Sequence, residues 1–297
     1  MERPVSQRLR QGPFELFRLT IACSPAYLET DQHMTPRPVA LITGASAGLG
    51  AEFARALAAK GADLILTARR EKRLAALATQ LQAEHGTHIE ILAADLATDA
   101  GVAAVKAKIV ATPNLHWLIN NAGFGVKGRF HAAAIDDLDR MHRLHVMAPL
   151  QLTHAALSGM IARDAGAIIN VASVVSFLLV AGSVGYAATK SWVHVFSEGI
   201  NLELRSSRSK VRIQSLCPGY TMTEFHDVIG MNRELVPKFL WLDARFVVRE
   251  SLRALERNDL LVIPSWKYRL IVRVARRLPR HIRYAIAAQV GRRTRRN

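Results

Sequence analysis

From Pro38 to Pro264 the chain alternates short apolar runs with longer stretches whose apolar residues recur at helical spacing, and this alternation limits the fold more than any other feature. Seven runs read as strands, near Val39 to Thr43, Asp63 to Thr67, His88 to Ala93, His116 to Asn120, Ala167 to Ala172, Val211 to Leu216 and Leu260 to Ile263. Strands joined through helices pair in parallel, because a helical crossover returns the chain to the same end of the sheet. The expectation is an α/β fold with one seven-stranded, doubly wound parallel sheet, helices on both faces and ligands at the carboxyl ends of the strands. Half of the 297 residues are apolar, enough for a substantial core.

Three stretches follow from this reading: an extension over 1–37, the α/β domain over 38–264, and a tail over 265–297. The extension holds four prolines and shows no sustained period, which predicts weak order. Met34 opens the phrase that leads into the first strand, so Met1 and Met34 both stand as starts. Net charge is +16, yet eleven Lys or Arg and no acid lie from Lys267 onward, so most of the imbalance belongs to the tail. There Arg269, Arg273, Arg276, Arg280 and Arg283 form a helical stripe, with Ile271, Val274, Ala275, Leu278 and Ile282 away from it and Pro279 dividing the stretch. Two placements stand open, on an anionic membrane surface as a peripheral attachment at its inner face, or docked on the chain's own domain. Nucleic acid is not expected, since no aromatic residue interleaves Arg292 to Arg296. Cys23 and Cys217 are too few and too separated for a disulfide framework or a zinc site, so no metal and a cytoplasmic location are expected. No apolar run approaches the roughly 18 residues of a spanning helix.

Between the first strand and the next helix the chain reads Thr43-Gly44-Ala45-Ser46-Ala47-Gly48-Leu49-Gly50. A turn so tight, opening a helix, lets backbone N–H groups approach a pyrophosphate. At the end of the second strand, where a carboxylate would grip a ribose 2′-hydroxyl, stand Arg69 and Arg70. Two guanidiniums and no acid suit a 2′-phosphate, hence NADP(H) over NAD(H). Asp95, after the third strand, has two readings, acceptor for an adenine amino group or helix cap. Asn120-Asn121-Ala122-Gly123 brings amides to the same rim.

Tyr186 lies four residues before Lys190 and thirteen after Ser173. On a helix the first spacing sets phenol and ammonium on one face, where the cation is expected to make the phenol more acidic. Hydride addition to a carbonyl needs a proton donor and a second hydroxyl near the oxygen, and Tyr186 and Ser173 answer both needs.

These motifs, in this order, make the chain similar to a classical short-chain dehydrogenase/reductase over Pro38 to Pro264. The resemblance implies a Rossmann-type fold and a catalytic set of Ser173, Tyr186 and Lys190, with Ser173 orienting the substrate carbonyl. It implies cofactor contacts at Thr43, Gly44, Ser46, Gly48, Leu49, Gly50, Arg69, Arg70, Asp95, Leu96, Asn121, Ala122, Gly123, Tyr186 and Lys190. Pro218, Gly219, Thr221 and Thr223 complete that list. Homo-oligomers are usual in similar proteins, though the basic tail bears on such packing. His145 departs from the pattern: relatives usually carry an asparagine whose backbone holds a water linked to the lysine. Three readings stand, that the main chain preserves the relay, that the imidazole moves protons itself, or that turnover suffers.

The segment from Thr221 to Leu242 should cover the site with Met222, Phe225, Val228, Ile229, Met231, Leu235, Phe239, Leu240 and Trp241, and Phe177 to Val180 add apolar surface. Such a wall suits a lipophilic ketone or aldehyde and its alcohol. The rival to an oxidoreductase is a nucleotide-binding, membrane-associated relative with little or no turnover.

Overall fold

The computed structural model describes residues 37–126, 128–178, 181–228, 230 and 232–293. Residues 1–36, and with them the choice between Met1 and Met34, lie outside the described residues. Seven strands form the sheet: β1 (Val39–Thr43), β2 (Asp63–Ala68), β3 (Ile89–Ala93), β4 (Leu115–Asn120), β5 (Ala167–Val171), β6 (Arg212–Leu216) and β7 (Leu261–Val262). All pair in parallel in the order β3-β2-β1-β4-β5-β6-β7. The chain thus winds outward from β1 in one direction and resumes at β4 in the other. A crevice opens where these directions part, at the carboxyl ends of β1 and β4.

Every residue of β1 is buried because both of its faces are covered. Ala40 and Ile42 point into a cluster with α1 (Gly48–Ala58), α2 (Glu71–His85) and α8 (Ala244–Glu256). Val39 and Leu41 point into the opposite cluster, filled by α3 (Asp99–Val110), α5 (Ala148–Ala162) and Leu204 of α6 (Val184–Ser206). The apolar runs read as strands for this reason: two covered faces remove the polar alternation. A short α4 (Ile135–His142) precedes α5, and α7 (Phe225–Val228) lies in the segment after β6.

Pro279 does divide the C-terminal stretch, into α9 (Trp266–Arg277) and α10 (Arg280–Arg293). The face that turns inward is not the apolar set lying away from the arginine stripe. Tyr268 and Val272 are each 4% exposed and belong to the larger core, whereas Trp266, Leu270, Ile271 and Val274 face solvent. Tyr268 lies directly on the loop after β6: a Cβ on Gly219 would stand 2.1 Å from its ring. Its hydroxyl accepts from the Tyr220 backbone N–H at 3.0 Å and donates to the Leu240 carbonyl at 2.8 Å. Helix α9 is therefore part of the domain's packing. No helix among the described residues is long and apolar enough to cross a membrane. Replacing Tyr268 by Phe leaves the ring in place and removes both bonds. We expect a loss of about 1–2 kcal/mol, read as a drop of a few degrees in Tm by thermal denaturation.

Candidate active site

The crevice is a cleft of about 1790 Å³, lined from the glycine turn at one end to the start of α6 around Tyr186 at the other. Gly44 and Gly48 adopt φ of +68° and +56°, values that disfavour a side chain. Gly50 serves a different need, since a Cβ there would meet the Gly44 carbonyl at 2.3 Å and the Asn121 amide at 2.6 Å. Ala47 precedes α1 and offers no capping oxygen, so the first N–H groups of that helix are left for another acceptor.

Most residues named from the sequence do line this cleft: Gly44, Ser46, Gly48, Leu49, Arg69, Arg70, Asp95, Leu96, Asn121, Ala122, Gly123, Ser173, Tyr186, Lys190, Pro218, Gly219, Thr221 and Thr223. Thr43, Gly50 and His145 do not; they stand behind the wall and shape it. The buried Thr43 hydroxyl accepts from the N–H groups of Asn121 and Ala122 at 2.9 and 3.0 Å and donates to the Ile119 carbonyl at 3.2 Å. The Asn121 amide donates back to the Thr43 carbonyl at 2.9 Å. Asn120 is also internal, its amide donating to Thr153 and Asn170.

At the end of β2, Arg70 donates through Nε and Nη2 to the Ser46 hydroxyl at 3.2 and 3.0 Å. Its Nη1 meets Glu224 at 2.9 Å, and Arg73 meets both oxygens of the same carboxylate at 2.6 and 2.7 Å. These guanidiniums hold Glu224 below the usual carboxylate range. Arg73 and Glu224 escaped the sequence reading. Arg73 follows Arg70 by one helical turn, which was a usable signal, but nothing local announces Glu224, which is 154 residues from Arg70. Asp95 does not cap α3: Thr98 does, accepting from Gly101 N–H at 3.1 Å. The Asp95 carboxylate instead accepts from the Ala97 N–H and pairs with Arg140 at 3.1 Å on the cleft rim.

Between α4 and α5 the helix loosens into one π turn over Arg143–Met147. His145, 1% exposed, sits in that turn. Its Nε2 accepts from the Phe124 N–H at 3.2 Å, and its Nδ1 is 2.9 Å from the Thr189 hydroxyl. Thr189 spends its own proton on the Tyr186 carbonyl at 2.9 Å, so Nδ1 carries the hydrogen and donates. Burial, with Lys190 and His142 nearby, pushes this imidazole well below its usual range. A Cβ on Gly123 would approach Nε2 to 2.8 Å, so the glycine and the ring fit each other.

Ser173 lies just past β5, at the start of the turn that follows it, and accepts from the Val175 N–H at 3.3 Å. Tyr186 and Lys190 come from the first two turns of α6. The Lys190 ammonium donates to the Val171 carbonyl at 2.7 Å and lies 5.9 Å from the Tyr186 ring centre. The acidified phenol expected from the four-residue spacing is not what the surroundings produce. Burial raises Tyr186 to about 12, with hydrogen bonding to Ser173 pulling the other way, and lowers Lys190 to about 8. Desolvation outweighs attraction here because the ammonium is itself desolvated and turned to a backbone carbonyl.

The far end is apolar, with Phe124, Leu144, Val175, Leu178, Phe225 and Val236 on its walls. Phe225 lies 5.8 Å from the Tyr186 ring. Several residues expected there do other work. Trp241 packs with Tyr220 and His226, and this packing, with Arg233, drops His226 to about 4. Leu240 and Phe177 lean on the core, while Met222 and Phe239 are exposed. Leu179, Val180, Ile229 and Met231, and the side chains of Val228 and Leu235, lie outside the described residues.

The short chain dehydrogenase profile matches residues 38–234. An uncharacterized oxidoreductase of Bacillus subtilis, YmfI, is 35% identical over 76% of this chain and 98% of its own. A short-chain dehydrogenase from Sphingobium yanoikuyae, solved in complex with NADPH, is 36% identical, with a TM-score of 0.73 over 77% of this chain and 88% of that one. A bulky-bulky ketone specific alcohol dehydrogenase from Comamonas testosteroni is 31% identical, with a TM-score of 0.70 over 82% and 95%. Matched over the same parallel sheet and its cleft, the chain belongs to the short-chain dehydrogenase/reductase family of oxidoreductases.

Proposed function

We propose that the protein interconverts a lipophilic ketone or aldehyde and its alcohol with NADP(H), using Tyr186 as general acid/base. One observation carries this: Ser173, Tyr186 and Lys190 open onto the same cleft as the Gly44–Gly48 turn and Arg70. The turn and the free N–H groups of α1 suit a pyrophosphate, and Ser46 with Arg69 and Arg70 suits a 2′-phosphate. A nicotinamide bound along this path supplies or receives the hydride. With such a cofactor bound, Tyr186 would give a proton to the substrate oxygen, Ser173 would hold that oxygen, and Lys190 would hold the nicotinamide ribose. A phenol raised to about 12 is neutral near pH 7, the form that reduction consumes. The apolar walls beside Phe225 and Leu178 favour a bulky, uncharged carbonyl, in line with the Comamonas relative. Intact Ser173, Tyr186 and Lys190 weigh against a binding protein without turnover.

His145 acts as a brace. With both ring nitrogens committed and its protonated form disfavoured, the imidazole ties the Gly123-Phe124 turn to the helix that carries Tyr186. The π turn over Arg143–Met147 loosens the helix at this point, in keeping with a main chain that serves the proton path.

The tail attaches the enzyme peripherally to an anionic membrane surface in the cytoplasm. On α9, Trp266, Leu270 and Val274 recur every fourth residue and are 64%, 51% and 49% exposed. Lys267, Arg273 and Arg277 flank them, and none of the Lys and Arg from Lys267 to Arg283 has an ion-pair partner among the described residues. An outward ridge of this kind suits an interface in which each cation contributes on the order of 1 kcal/mol.

With NADPH and a panel of bulky ketones, Tyr186→Phe should lower kcat roughly 10²- to 10⁴-fold and keep NADPH binding. Undiminished turnover contradicts the assignment. In a pH–rate profile for reduction, the rate should hold between pH 5 and 7, with no imidazole ionisation, and fall as Lys190 loses its proton above about 8. His145→Asn should leave the shape of that curve unchanged; an inflection near 6 that this variant abolishes would show a shuttling imidazole. In vesicle flotation the protein should rise with phosphatidylcholine/phosphatidylglycerol and stay down with phosphatidylcholine alone. Trp266→Ser, Leu270→Ser and Val274→Ser together should abolish flotation without changing NADPH binding, and equal flotation by that variant rejects the ridge.

A further inference from the structure

We infer that Glu224 is an internal competitor for the cofactor's 2′-phosphate: the loop after β6 lays this carboxylate across the arginines that read the phosphate, and an arriving NADP(H) must displace it. The inference rests on the NADP(H) reading above and adds a residue that this reading does not contain.

The geometry around Glu224 is that of a bound anion. One carboxylate receives Arg70 Nη1 at 2.9 Å and Arg73 Nη1 at 2.6 and 2.7 Å, while the rest of the Arg70 fork holds the Ser46 hydroxyl of the glycine turn. Two guanidiniums and a serine hydroxyl are the donor set that a phosphate monoester seeks. Arg70, Ser46 and Glu224 all line the cleft at its nucleotide end. A 2′-phosphate on Ser46 and Arg70 would bring a second anion against the same fork, and like charges at contact distance repel. The carboxylate has to give way, because the phosphate carries more charge and more acceptor oxygens.

Placement adds a second consequence. Glu224 follows Thr223, whose side chain packs against the turn at Gly48, and precedes Phe225, which touches the Tyr186 ring. The carboxylate therefore fastens the loop over the nucleotide end and the substrate end together. A dinucleotide without a 2′-phosphate leaves this fastening intact. One with the phosphate exchanges it for a bond to the cofactor and frees the loop that covers the substrate. Glu224 thus sets how strongly NADP(H) is preferred and couples that preference to the loop. The groups are 44–50% exposed, so the effect is a moderate one.

The experiment is a fluorescence titration of NADPH and of NADH against the full chain, Glu224→Gln, Arg70→Ala and the double variant. Glutamine keeps the shape and removes the charge. The inference expects Glu224→Gln to tighten NADPH on the order of three- to tenfold, the scale of one or two exposed ion pairs. NADH should change by less than about twofold, and the NADPH gain should vanish when Arg70 is alanine. Weaker NADPH binding by Glu224→Gln would make the carboxylate a clasp that retains cofactor, and unchanged NADPH binding would make the ion pairs incidental; either overturns the inference while leaving the cofactor reading intact. A wild-type chain that binds NADH more tightly than NADPH refutes that reading itself, and the inference with it.

Discussion

The hydroxyl of Thr43 is the point on which the cleft depends. At the carboxyl end of β1 the sheet's two directions of winding part, and backbone donors from the chain after β4 would be left facing each other across the gap. One buried oxygen gathers two of them and passes its own proton to the Ile119 carbonyl. The Asn121 amide closes the loop from the other side. Breaking this knot strips the fully buried Thr43 hydroxyl and its part-buried backbone partners of several hydrogen bonds at once. The glycine turn can approach a ligand closely because its neighbours are held rigidly from behind.

Around that fixed seam the reacting groups are governed by exclusion from water. Tyr186 is driven toward its neutral form and Lys190 is brought to about 8, both because protein surrounds them. Under the proposed reduction the two shifts act together: the phenol holds the proton it would give, and the ammonium stays charged near pH 7. His145 belongs to the same economy of dry contacts. Its ring occupies the space that Gly123 leaves open and spans from the cofactor rim to the catalytic helix.

Much of this was legible in the residues. Strands buried on both faces appear as continuous apolar runs, and helices between them leave one workable topology. The glycine turn and the Ser173, Tyr186 and Lys190 spacing name, in chain order, residues that the fold brings onto one cleft. What stayed hidden depends on distance in sequence. The role of Gly219 could not be read without knowing that the Tyr268 ring arrives from 49 residues later. The partnership of Arg70 with Glu224 spans half the chain. Which face of α9 turns inward is of the same kind, because arginine spacing suggests which side is wet, whereas Tyr268 has a specific seat to fill on the loop after β6. The acidity of Tyr186 was misjudged for a related cause: spacing reports who the neighbour is but not how dry the place is.

The seat of Tyr268 also changes what a shortened chain can teach. Deleting everything from Ser265 onward would expose Gly219, release the Tyr220 and Leu240 backbone, and remove part of the cleft's own lining. An inactive or unstable truncation would then report a missing wall, whatever the outer surface of α9 touches. Membership in the catalytic architecture and contact with the outside are carried by opposite sides of one short helix, and only exchanges confined to its outer side can tell them apart.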